Sequence, residues 1–223
     1  MTSESVTIAV ADKGSVSGLW LAPAKPKACL VLAHGAGAGM THKAMAATAE
    51  GLAARGIATL RYQFPYMEAG GKRVDSAPVA QVTVRAACAE GLKRAKNAPL
   101  FAGGRSFGGR MTSQAQAHAP LDGVGGLVFF AFPLHPAGKP SVERAAHLAE
   151  VKIPMLFLQG TSDALAQRDL LEQATAKLGK RATLHLVPDA DHSFHVPAKT
   201  GRKDADVLAD ILDAAASWMT LHA

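Results

Sequence analysis

Short apolar runs of β type alternate along this chain with longer alanine-rich stretches of helical type. Residues 6–10 and 16–21 are the first two such runs, and Asp12-Lys13-Gly14 between them marks a turn. Residues 28–33 are apolar throughout, as expected of a strand covered on both faces. A glycine-rich loop follows, then a predicted helix over 42–55 and a strand over 57–60. A helix over 80–96 leads into a strand at 100–102, and another helix runs from Ser106 to residue 117. Strands at 127–131, 153–158 and 183–187 and helices at 168–178 and 203–221 complete the pattern. Two N-terminal strands followed by repeated strand–helix units predict a mostly parallel α/β sheet of about eight strands with helices on both faces. No internal repeat or linker-like shift in composition interrupts it, so one domain is expected over residues 1–223.

Two segments break the rhythm. Residues 62–79 hold Gln63-Phe64-Pro65-Tyr66-Met67 and Gly70-Gly71, and residues 132–142 hold Phe132-Pro133-Leu134-His135-Pro136. Both exceed the ~2–6 residues usual for such connections, and both follow strands at the end where parallel sheets bind ligands. The stretch 132–152 is too short for a separate cap domain, which predicts an open, shallow site for small groups.

Composition narrows the class. With 48% hydrophobic and 19% charged residues the chain can bury a substantial core, which excludes intrinsic disorder. No apolar run approaches the ~20 residues that cross a bilayer. Residues 1–10 lack the basic stretch and apolar run of a signal peptide, so a cytoplasmic location with no membrane span is expected. The net charge of +6 raises nucleic acid as a partner, but the 24 Lys and Arg are scattered rather than clustered. A nucleic-acid partner is therefore not expected. Cys29, inside an apolar run, and Cys88, in an alanine-rich helix, are expected to be buried free thiols.

The chemistry centres on Gly104-Arg105-Ser106-Phe107-Gly108, a G-x-S-x-G pattern lying between a predicted strand and a predicted helix. Small residues on either side of the serine allow a sharp turn that lifts its Oγ above the sheet. A serine hydroxyl is a poor nucleophile at neutral pH and needs a positioned base. Two later strand ends supply the partners in the order nucleophile, acid, histidine. Residues 153–158 run into Gln159-Gly160-Thr161-Ser162-Asp163, and 183–187 run into Pro188-Asp189-Ala190-Asp191-His192. Ser106 is thus the candidate nucleophile, Asp163 the acid and His192 the base. His195 is the rival base. Asp189 and Asp191 read as turn formers or supports on the histidine loop, and Asp169 as a surface residue.

A tetrahedral oxyanion needs two backbone donors. The N–H of Phe107, directly after the nucleophile, is one candidate. The loop His34-Gly35-Ala36-Gly37-Ala38-Gly39 offers the other, with Ala36 preferred and Gly37 the alternative. This loop lacks G-x-G-x-x-G and a following Gly-Lys-Ser/Thr, which argues against a phosphate cradle. Candidate pocket residues are His34, Gly37, Phe64, Tyr66, Arg105 and His135. A metal site from Asp189, Asp191, His192 and His195 is a weaker reading, because no second ligand set stands at diagnostic spacing. No metal is therefore expected.

With these motifs in hand, the chain resembles the α/β-hydrolase superfamily and its small dienelactone-hydrolase-like branch. The likeness rests on residues 32–38, on Arg61-Tyr62-Gln63-Phe64-Pro65-Tyr66-Met67 and on Gly103-Gly104-Arg105-Ser106-Phe107-Gly108-Gly109-Arg110. Phe132-Pro133-Leu134-His135-Pro136, Leu158-Gln159-Gly160-Thr161-Ser162-Asp163 and Asp191-His192-Ser193-Phe194 extend it over nearly the whole chain. The resemblance implies an α/β-hydrolase fold, a Ser106–Asp163–His192 triad, no cofactor and a small-molecule acyl substrate. Dienelactone hydrolases proper use a cysteine nucleophile, whereas Ser106 stands here, so the resemblance does not carry their lactone over. A scaffold protein that keeps the fold without turnover is the alternative reading.

Overall fold

The computed structural model describes residues 2–223. Strands β1 (Glu4–Val10) and β2 (Gly14–Leu21) form an antiparallel hairpin, and β2 lies antiparallel to β4 (Ile57–Tyr62). The remaining strands are β3 (Ala28–Ala33), β5 (Leu100–Arg105), β6 (Val124–Phe130), β7 (Met155–Gly160) and β8 (Ala182–Val187). They pair in parallel with each other and with β4, giving the order β1-β2-β4-β3-β5-β6-β7-β8.

Side chains alternate across this sheet with period two. On β3, Ala28, Leu30 and Leu32 face one core, while Cys29, Val31 and Ala33 face the other. The first core packs on α1 (Lys43–Ala54) and α6 (Asp204–Leu221), which contribute Met45, Leu52, Ile211, Leu212, Trp218 and Met219. The second packs on α3 (Ala77–Ala95) and α4 (Phe107–His118), through Val84, Ala87, Cys88, Met111 and Ala115. α5 (Arg168–Ala176) adds Leu171 to the same face. Burying each large apolar side chain contributes roughly 1.5–3 kcal/mol, so both layers hold the sheet. Cys29 and Cys88 are buried free thiols, pushed up by burial to about 11 and about 12.

Several boundaries differ from the sequence reading. β5 runs three residues beyond its expected end, because Gly103, Gly104 and Arg105 keep pairing with Val128, Phe129 and Phe130. Two glycines and a charged residue read as loop, but the ladder uses backbone. Residues 62–79, expected as one irregular segment, contain α2 (Pro65–Glu68) and the start of α3. Pro78 lies in the first turn of α3, where a missing N–H leaves no helical bond unmade. A 3₁₀ helix over Glu143–Glu150, not foreseen, follows the irregular residues 132–142 and buries Ala145 and Leu148. Among the described residues no helix is long and apolar enough to cross a membrane.

Candidate active site

Ser106 caps the N-terminus of α4 with φ 50° and ψ −117°. A non-glycine residue there carries roughly 1–3 kcal/mol of backbone strain. The strain is held from both sides: Ser106 N–H donates to the Phe130 carbonyl at 3.0 Å, and its own carbonyl accepts from Arg110 N–H at 3.1 Å. The flanking glycines are needed for close approach. A Cβ on Gly104 would lie 2.5 Å from the Ala33 carbonyl oxygen, and one on Gly108 would lie 2.5 Å from that of His34. Both contacts are with backbone, which cannot swing aside. The pattern G-x-S-x-G is thus dictated here by how tightly the turn packs on the end of β3.

Two loops bring partners to the serine. His192 Nε2 lies 2.8 Å from Ser106 Oγ, and His192 Nδ1 lies 2.7 Å from Asp163 Oδ2. With the ring proton on Nδ1 donated to Asp163, Nε2 is free to accept the serine hydroxyl proton. The Asp163 side chain is fully buried, whereas that of His192 is 26% exposed. Gln159 Nε2 donates to Asp163 Oδ2, and Leu165 N–H donates to Oδ1 at 2.7 Å. These bonds orient the carboxylate and offset its loss of water. Gln159, the last residue but one of β7, was not singled out from sequence; its place four residues before Asp163 was the available signal.

A cavity of about 320 Å³ opens over Ser106 and His192, lined by Ala36, Gly37, Met45, Arg105 and Leu165 among others. Of the pocket candidates, Gly37 and Arg105 line this cavity. The other pocket candidates do not. His34 is fully buried; its Nδ1–H donates to the Gly35 carbonyl at 2.7 Å and its Nε2 accepts from Phe64 N–H at 3.1 Å. Burial lowers its pKa, so it is a neutral brace rather than a pocket wall. Phe64 is fully buried between His34 and Phe107, with ring centroids 5.0 and 5.3 Å away. Tyr66 donates its hydroxyl to the Ala36 carbonyl at 2.8 Å, and burial pushes its pKa up to about 12. These three residues shape the loop from beneath, a role that aromatic identity alone does not reveal. His135 lies behind Asp163 in a separate cleft of about 610 Å³, where its Nε2 accepts from Gln167 N–H at 2.9 Å.

The four residues of the metal reading are dispersed. Asp191 Oδ1 accepts from the N–H groups of Ser193 and His195, at 2.7 and 3.0 Å. His195 Nδ1 points instead at Asp204, 2.9 Å away. Asp189, with φ 59°, donates its N–H to Thr161 Oγ1 at 2.8 Å and forms part of the turn.

Solved structures with this architecture are numerous. A lidless serine hydrolase from Xanthomonas campestris matches with TM-score 0.76 and 22% identity, covering 98% of this chain and 95% of its own. Dienelactone hydrolase from Anabaena variabilis matches with TM-score 0.78 and 20% identity, over 99% of this chain and 98% of the other. The esterase domain of a Rhodothermus marinus protein gives 0.75 and 16%, over 100% and 99%. At these identities the likeness is one of fold. The sequence pattern of the family described as "Alpha/beta hydrolase domain" matches residues 26–220, which span the turn at Ser106 and the loops of Asp163 and His192, and the chain belongs to that family.

Proposed function

We propose that the protein is a serine hydrolase of small esters, thioesters or lactones, acting through an acyl-enzyme on Ser106. The observation that carries this reading is the continuous relay from Ser106 Oγ to His192 and on to buried Asp163, at 2.8 and 2.7 Å. In the first step His192 Nε2 takes the Ser106 proton as Oγ bonds to the carbonyl carbon. The N–H groups of Phe107 and Ala36 receive the oxyanion. Collapse of the tetrahedral intermediate transfers the proton from His192 to the leaving alcohol or thiol. Water then attacks the acyl-serine, again giving its proton to His192; as the bond to Oγ breaks, His192 returns that proton to Ser106 and the acid departs. Asp163 holds the imidazole in the productive tautomer and stabilises the imidazolium.

A small acyl group suits the 320 Å³ cavity and the short stretch between β6 and β7, which carries only the Glu143–Glu150 helix. Labelling with a fluorophosphonate probe tests the reading. The folded protein should label at Ser106, Ser106→Ala should not label, and short-chain p-nitrophenyl esters should be hydrolysed faster than those beyond about ten carbons. Folded wild-type protein that resists the probe would overturn it.

A further inference from the structure

Four arginines elsewhere in the molecule are paired with acids: Arg55 with Asp213, Arg94 with Glu4 and Glu90, Arg168 with Glu172, and Arg202 with Asp210. Arg61, Arg85 and Arg181 donate to backbone carbonyls instead. Arg105, beside the nucleophile, makes no ion pair and no side-chain hydrogen bond with any described residue. Its Cζ instead rests 5.7 Å from the ring centroid of Phe194. Phe194 is itself held at φ 62°, an unfavourable backbone conformation for a bulky residue, on the loop that carries His192. Burial lowers the Arg105 pKa, so its charge is held partly out of water. Asp163 and Asp191 are the acids that act on it, and neither comes within ion-pair distance. Both are engaged elsewhere, Asp163 with Gln159, Leu165 and His192, and Asp191 with Ser193 and His195.

Arg105 also stands in the wall between two spaces. It lines the cavity at Ser106 and a second one of about 520 Å³ that includes Lys43, Phe194 and Leu208. His42, Ala44 and Ser193 line both, so the two spaces adjoin. The acid in the second space, Asp204, is occupied by His195 and by Val196 N–H. A desolvated guanidinium with free donors offers a planar fork that matches an oxyanion.

We propose that Arg105 is a specificity-determining residue that receives an anionic oxygen group of the substrate, a carboxylate or a phosphate, while the scissile carbonyl sits at Ser106. The assignment deepens, and rests on, the hydrolase reading above. Two matched ester pairs test it: p-nitrophenyl hydrogen glutarate against p-nitrophenyl butyrate, and 3-acetoxybenzoate against phenyl acetate. They place the anion on the acyl and on the leaving side respectively. The wild type should favour the anionic member of at least one pair by about tenfold in kcat/KM. Arg105→Gln should cut that preference about tenfold, to near parity, and Arg105→Lys should restore part of it, because the charge remains but the fork is lost. Unchanged Tm should accompany both variants.

Binding supplies an arm that needs no turnover. In a Ser106→Ala background, calorimetry with glutarate and with inorganic phosphate should show that adding Arg105→Gln weakens at least one of them about tenfold. The anion that responds identifies the source. Absence of preference in both ester pairs, or equal losses for both members of each pair in Arg105→Gln, overturns the proposal. If the wild type neither labels nor hydrolyses any ester, the hydrolase reading fails. The calorimetry then decides on Arg105 alone: affinities that are absent, or the same with and without it, overturn the anion site.

Discussion

His192 and His195 lie three residues apart on one loop, and each directs Nδ1 at an aspartate, 2.7 and 2.9 Å away. The surroundings of the two pairs differ. Asp163 has no exposed side-chain surface, while Asp204 is 59% exposed and His195 63%. Nε2 of His192 meets a serine hydroxyl at 2.8 Å. A third histidine supplies the complementary case. His147 Nε2 lies 2.7 Å from Ser113 Oγ, the same arrangement without any carboxylate. The Ser113 hydroxyl already donates to the Arg110 carbonyl at 2.9 Å, so His147 can only donate to it. A histidine–aspartate pair in water is a surface ion pair, and a serine–histidine pair whose hydroxyl proton is already given away has no base. Only the arrangement at Ser106 joins a free hydroxyl, a ring with the right nitrogen open, and an acid shielded from water.

Breaking the two aspartates separately should give the largest contrast. Asp163→Asn is expected to lower kcat for a short-chain ester by about 10⁴, through loss of charge and of the productive tautomer. Asp204→Asn is expected to lower it by threefold at most, since exposed pairs are screened by solvent. Steady-state kinetics on both variants, with circular dichroism to check folding, reads the difference. Ser106→Ala combined with Asp163→Asn should be barely slower than Ser106→Ala alone, because triad members act as a unit.

The serine side of the comparison can be moved without touching any of the reacting groups. Gly108→Ala would push a Cβ to 2.5 Å from the His34 carbonyl oxygen and 2.7 Å from the Ala33 Cβ. The turn must shift to admit it. Destabilisation of about 1–3 kcal/mol is expected in urea titration. A loss of about 100-fold in kcat should accompany it, since a displacement of about 1 Å at the nucleophile is enough for that. Retained activity with lowered stability would show that the elbow's packing matters for folding alone.

His147 sharpens the contrast through stability. Burial, and secondarily the neighbouring Arg110, lowers its pKa to about 4. The unfolded chain would bind that proton near pH 6.5 and the folded chain would not. Stability is therefore intact above about pH 6.5 and is lost progressively as pH falls toward 4. His147→Gln removes the titration, so relative to wild type it should gain about 1–2 kcal/mol between pH 7.5 and pH 5, after allowance for partial solvent screening. No change in relative stability across that interval would contradict the burial argument.

The smallest effect belongs to the exposed pair. Asp204 raises the His195 pKa by hydrogen bonding and charge, so the pair favours folding at low pH and ceases to do so as pH rises through the raised value. An NMR titration of His195 should show that elevation in wild type and its disappearance in Asp204→Asn, with Tm barely altered.

Local pattern was enough to find the elements and their order. Apolar runs with period two or none located all eight strands, and G-x-S-x-G between strand and helix located Ser106. The acid and the base candidates were found because each follows a strand, which the chain order exposes. The strand ends were less legible. Residues 103–105 pair through their backbone, and backbone pairing leaves no mark in side-chain polarity.

What the chain order by itself determined, then, is the sheet, the sequence of loops above it and the identity of the residues those loops carry. Which of them meet was decided in three dimensions. Phe64 and Tyr66 share the aromatic character of pocket walls, yet lie beneath the loop at 35–37, because packing direction depends on distant neighbours. His192 and His195 have the same side chain on the same loop, and only the fold buries one partner and leaves the other in water. Arg105 reads from sequence as a pocket candidate by its place beside Ser106; its lack of an ion pair exists only once the acids have taken their places in space. Distance, burial and competition for hydrogen bonds are properties of the assembled chain, and they separate the candidate site from its near copies.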